Sequence, residues 1–173
     1  MSRPTGKLFG WMLAAVVIAG FSTLGVWQLG RAKQKEAMLA ASQQVLAERK
    51  ALPLSAASDP ARQQAYDWAA GEGRFLDTPA ILLDNQTRAS QPGIRVYRVF
   101  QPAVESAPLM VELGWLPLPG DRRMPGVALP SGEVTVSGLL VAPPSSGIAT
   151  PVASPQADGN LLMIGLDHAV LSK

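Results

Sequence analysis

Residues 8–29, LFGWMLAAVVIAGFSTLGVWQL, run for 22 positions without a charge, and no other feature constrains the chain as much. At 1.5 Å rise per residue a helix of that length spans about 33 Å, which matches a hydrocarbon core of roughly 30 Å. A cleaved signal sequence carries an apolar region of only about 7–15 residues. A soluble core able to surround such a helix needs more chain than 173 residues supply. The run is therefore read as a retained, single membrane anchor. Lys7 and Arg31 flank it, and Trp11 and Trp27 stand near its ends, where amphipathic rings favour the headgroup level. Gln28 and Arg31 can reach the interface behind Trp27. Gly20, Ser22, Thr23 and Gly25 keep the helix surface low enough for a second helix to approach.

The anchor accounts for a composition that is 47% hydrophobic and only 16% charged, against roughly 25% charged residues in soluble domains. Four regions follow: 1–7 as a tail, 8–29 as the transmembrane helix, 30–65 as a helical and linker region, and 66–173 as a β-rich extramembrane domain. The stretch GRAKQKEAMLAASQQVLAERK is built from good helix formers, so the helix is expected to continue out of the membrane. Ala37, Met38, Ala41, Val45 and Leu46 recur at spacings of three and four and form one apolar stripe suited to packing. Pro53 and Pro60 end the helical pattern, and Asp59 before Pro60 has the form of a helix N-cap.

Beyond Tyr66 the period shortens towards two. The runs 66–75, 80–85, 94–100, 109–115, 133–141 and 160–166 are short and apolar or alternating, separated by Gly, Pro, Asp, Asn and Ser. They predict a small antiparallel β barrel or sandwich, and with the helix an α+β membrane-anchored chain. The stretch 116–132 carries Pro117, Pro119, Pro125 and Pro130, so it reads as a surface loop with Arg122 and Arg123 as solvated charges.

Chemistry-bearing residues are sparse. There is no Cys and a single His, so thiolate sites and disulfides are excluded and a zinc site lacks its usual ligands. His168 follows Asp167 in GLDHAVLSK and reads as part of a turn or a helix start rather than as a ligand. Asp67, Glu72, Asp77 and Asp84 are isolated along the sequence, and neither a nucleophile elbow nor a phosphate loop is present. These absences argue against an enzyme. A net charge of +2, with no Lys/Arg run interleaved with aromatics, argues against nucleic acid as a partner.

LGVWQLGRAKQKEAML at the end of the first span, the Gly73 to Phe75 "GxF" strand, and LMVELGWLPLPGD with its Gly114-Trp115 pair occur in one order. That order resembles the Surfeit locus protein 1 family of membrane proteins that assist assembly of cytochrome c oxidase. The likeness runs from about residue 20 to about 168. It singles out Gly25, Trp27, Gln28, Arg31, Gly73, Gly114 and Trp115 as motif and partner-contact candidates. On the physical side, Gly25 is expected to thin the helix where Trp27 and Gln28 pack, and Gly114 to allow close backbone approach beside Trp115.

The resemblance implies an assembly factor that binds oxidase subunits, subunit I above all, and assists haem a insertion. The competing implication is an accessory subunit held stoichiometrically in a respiratory oxidase. It further implies the bacterial inner membrane as location, a cytoplasmic N-terminus and a periplasmic β domain. The count of Lys and Arg beside the span favours the reverse orientation, and the resemblance sets the expectation. Two departures stand out. No second apolar span precedes Lys173, and that is where the family carries its proposed haem-ligating His, so haem a stays an implication of the resemblance alone. Glu112 and Leu113 also stand where the family commonly has Asn and Arg.

Overall fold

The structure, a computed structural model, describes residues 4–62, 65–142, 144 and 152–166. The chain divides into two compact units, Met1–Glu48 and Arg49–Lys173.

The first unit is one helix, α1 (Pro4–Glu48, 45 residues). Pro4 is tolerated because it occupies the first turn, where its missing N–H has no helical partner to lose. Past Glu48 the backbone of Arg49 turns to φ 46°, the left-handed conformation in which helices commonly end. Between these points the uncharged run stays helical without a break, as expected. It is apolar on every side: Leu8, Trp11, Val16, Ile18, Phe21 and Val26 are all exposed. That pattern suits lipid and not water. Thr23 donates its hydroxyl to the Ala19 carbonyl at 2.8 Å and so carries no unmet donor into that environment. Among the described residues this is the one helix long and apolar enough to cross a membrane, with a mean hydropathy of 1.9 over an 18-residue window.

The second unit is built on one mixed sheet. β1 (Ala51–Pro53) pairs parallel with β2 (Asp67–Phe75). The other edge of β2 runs antiparallel to β6 (Val134–Leu140), and its last residues, 73–75, reach the end of β4 (Gln91–Pro102). β4 is the hub, antiparallel to both β3 (Ile81–Arg88) and β5 (Leu109–Pro117). β8 (Leu161–Met163) adds parallel to β3 and carries β7 (Ser154–Pro155) on its far side. Each of the six runs expected as strands contains one, the last of them, 160–166, only over Leu161–Met163. The sheet is mixed and not antiparallel throughout, which corrects the sequence reading. β3, β4 and β5 follow each other through short connections that reverse the chain, whereas β1 and β8 arrive after long excursions that leave their direction free.

β4 shows why the core lies on both faces. Alternation sends Ile94, Val96, Arg98 and Phe100 to one face and Gly93, Arg95, Tyr97 and Val99 to the other. On the first face Ile94 and Val96 pack with Ala80, Leu82 and Leu118, and Phe100 packs with Leu54 and Ala69. Phe75 meets the Phe100 ring edge-on at 5.1 Å. On the second face Tyr97 packs with Ile81, Leu83, Met163 and Leu166. Each fully buried Leu, Ile or Phe here contributes about 1.5–3 kcal/mol.

Two segments expected to be linker or surface loop enter this core. Leu54, from the first of two short 3-10 turns (Leu54–Ser58 and Pro60–Arg62), is buried. The second turn starts as expected, with the Ala61 N–H donating to Asp59 Oδ1 at 2.9 Å. The proline-rich stretch after β5 forms no strand, yet Leu118, Met124 and Val127 cover the Leu82–Val96 cluster. Prolines remove ladder donors without preventing their apolar neighbours from burying.

Candidate functional site

The motif residues fall into two groups, with Gly73 apart from both on β2. On α1, Trp27 and Arg31 are four positions apart and so share a face. The Arg31 guanidinium lies 5.5 Å from the Trp27 ring centroid, a cation–π contact. A Cβ at Gly25 would meet nothing within 4 Å. Within this chain the contact seen there is the Trp27–Arg31 pair.

The second group lies at one end of the β3–β4–β5 hairpins. β5 bulges at Leu113: Val96 opposes Gly114 while Tyr97 opposes Glu112. Gly114 takes φ 139°, a conformation closed to most L side chains, and this lets the strand resume its register with Trp115 opposite Arg95. The close approach expected at Gly114 occurs elsewhere. Nothing lies within 4 Å of a Cβ built on Gly114, whereas one on Gly93 would collide with the Trp115 indole and the Leu116 carbonyl. Trp115 thus lies flat across the Gly93 backbone and donates its indole N–H to the Gln86 carbonyl at 3.1 Å. Gly73 serves the same purpose on β2, where a Cβ would strike the Phe100 ring and the Gln101 carbonyl.

Beside Trp115, β3 carries its own irregularity between Leu83 and Gln86, with Asn85 at φ 58°. Asp84 holds this bulge together. Its Oδ1 accepts the Asn85 N–H at 2.7 Å, and its carbonyl accepts Gln86 Nε2 at 3.0 Å. Its other carboxylate oxygen, Oδ2, accepts Arg122 Nη2 at 2.7 Å. Asp84 is buried and Arg122 is mostly exposed, so the pair fastens the proline-rich loop to the bulge. Arg122 is thus a latch and not a merely solvated charge, which its exposed position in the sequence could not reveal. Nor is Asp67 isolated in space, since Arg62 Nη1 donates to its Oδ2 at 2.8 Å.

Two further polar side chains hold the sheet on its two faces, one buried and one exposed. Arg98, 5% exposed, donates through Nη1 to the Thr78 carbonyl at 3.0 Å and through Nη2 to the Val127 carbonyl at 3.1 Å. It clamps the same loop from inside. On the opposite face Glu112 accepts the Tyr97 hydroxyl at 2.9 Å and Arg95 Nη1 at 3.5 Å. Burial above all, then the hydrogen bond to Glu112 and its charge, push the Tyr97 phenol up to about 12, against an opposing effect of Arg95. Glu112 is therefore the acceptor at the centre of this network.

Among the described residues no group of three or more His, Asp or Glu is gathered as a metal site would require. Asp167 and His168 lie outside the described residues. What the arrangement offers is a Trp115 ring seated on Gly93, two bulges and a loop fastened at Arg122 and Val127: features that fix the shape of this end of the sheet. Gly93, Gln86, Asp84 and Arg98 carry that shape without any sequence motif of their own. The nearest signal is the run DNQT (84–87), whose first two residues tolerate local side-chain to backbone bonding.

The model of the SURF1 family matches residues 15–173, a span that takes in most of α1 and the whole sheet. No curated protein and no solved structure matches the chain.

Proposed function

This chain belongs to the SURF1 family, and from that premise we propose that it is an assembly factor for cytochrome c oxidase. α1 anchors it in the bacterial inner membrane with the N-terminus cytoplasmic, and the sheet domain works in the periplasm. There the Gly93–Trp115 platform and its latched loop engage the oxidase's large subunit during biogenesis. Haem a is cargo of that step, and this chain's part is to hold the large subunit while the haem enters. The observation that carries the reading is the extent of the family match, which joins the apolar helix and the sheet in one unit of resemblance.

Deleting the chain and following newly made oxidase by its haem a absorbance tests this. Less new oxidase, with mature enzyme of normal stability, is the expected result. Normal synthesis of an oxidase that then falls apart, together with stoichiometric co-purification, would replace the proposal with the accessory-subunit role.

A further inference from the structure

We propose that Trp27, Arg31 and Lys35 on α1 form a binding site for the phosphate of one anionic phospholipid headgroup. The proposal rests on α1 being the membrane anchor.

Three observations converge on it. First, the residues are spaced by four along an unbroken helix, so they form one ridge that drifts by only about 40° per step. The uncharged run ends at Leu29, which puts Trp27 about 3 Å inside that boundary and Arg31 and Lys35 about 3 and 9 Å beyond it. Second, the Arg31 guanidinium already rests over the Trp27 ring at 5.5 Å, which holds the cation at headgroup depth. Third, the ridge lacks any carboxylate. The first acidic residue of the whole chain is Glu36, and the helical turn carries it to the side opposite Trp27. Neither Arg31 nor Lys35 forms an ion pair among the described residues.

Charge complementarity then selects the occupant. Like charges four residues apart repel each other, and an anion lying between them removes that repulsion. Guanidinium and ammonium groups donate to phosphate oxygens, and the only abundant anion at that depth is the lipid phosphate. A zwitterionic lipid brings its own cation to the same place, so an anionic lipid is favoured. Lys33 has the same charge but points to the side facing Glu36, one helical turn away, and stands outside the site.

The test reconstitutes the full chain into bilayers of phosphatidylcholine and phosphatidylglycerol that carry traces of either lipid with a spin label. The ratio of motionally restricted labelled phosphatidylglycerol to restricted labelled phosphatidylcholine is the readout. The expected preference is on the order of fivefold. Arg31→Gln with Lys35→Gln should bring it close to one, and Trp27→Leu should at least halve it with every charge retained. Lys33→Gln, an equal loss of charge on the far side, should leave it unchanged, and helix content by circular dichroism should be the same in all. A wild-type ratio near one, or an equal fall with Lys33→Gln, would overturn the site and leave the anchor intact. Failure of the chain to restrict either lipid would overturn the anchor, and the site with it.

Discussion

The indole of Trp115 occupies the space that a side chain on Gly93 would need. Gly93→Ala is therefore expected to lose about 1–3 kcal/mol, the usual range for overpacking, read as a lower midpoint in denaturant unfolding of the solubilised chain. Gly126→Ala, which would meet nothing within 4 Å, serves as the control. Equal midpoints for the two variants would remove the contact from the account.

Gly114 is constrained by its backbone and not by its neighbours. At φ 139° with open space around it, Gly114→Ala should lose about 1–2 kcal/mol through strain alone. Trp115→Phe separates the two glycines. The smaller ring should recover part of the loss from Gly93→Ala and none of the loss from Gly114→Ala.

The Asp84–Arg122 pair should behave as a partly exposed latch. Asp84→Asn keeps an amide oxygen for the Asn85 N–H but replaces the oxygen that accepts Arg122 and removes the charge, so it is expected to cost about 1 kcal/mol, mostly through the lost Arg122 bond. Its coupling to Arg122→Gln in a double-mutant cycle should be about 0.5 kcal/mol and should shrink with added salt, because the guanidinium is largely in water. A coupling that salt leaves unchanged would show that the pair is more enclosed than this geometry has it.

Arg98 acts as an inner clamp. Its two carbonyl contacts use the fork of the guanidinium, which an ammonium cannot reproduce. Arg98→Lys should lose about 2–3 kcal/mol and should speed protease cleavage within residues 118–132. Faster unfolding with no change in cleavage of that loop would sink the clamp role.

Tyr97 sets an alkaline limit. Its phenol, ordinarily near 10, ionises at about 12 when folded. Below pH 10 both states hold the proton and this phenol adds no pH dependence. Between about 10 and 12 the unfolded chain releases a proton that the folded chain keeps, so stability falls as pH rises, by at most about 1.4 kcal/mol per pH unit. Tyr97→Phe should flatten the unfolding midpoint against pH over that window. An unchanged slope would assign it to other groups.

Helix and strands were legible for a local reason. A 22-residue uncharged run and the strict alternation of EVTVSG each express a period that one segment carries by itself. The β3–β4 reversal was not legible, because Ala89 and Ser90 take φ 48° and 63° in a tight hairpin turn without the Asn-Gly pair that usually marks one. The motif glycines were found by resemblance, but their reasons were exchanged. Gly114 answers to a backbone angle, and the close approach beside Trp115 belongs to Gly93, which no motif flagged.

The sequence by itself determined the long apolar helix, the order of the six main strands and the absence of thiol chemistry, since each depends on residue type and short-range spacing. Only the tertiary structure decided that β1 and β8 add in parallel, that the proline-rich loop closes over the sheet, and that Arg122 meets Asp84 across 38 positions. Such contacts join segments whose separation along the chain leaves no periodic trace. They are settled by which apolar faces must be covered and by which buried polar groups must then find partners.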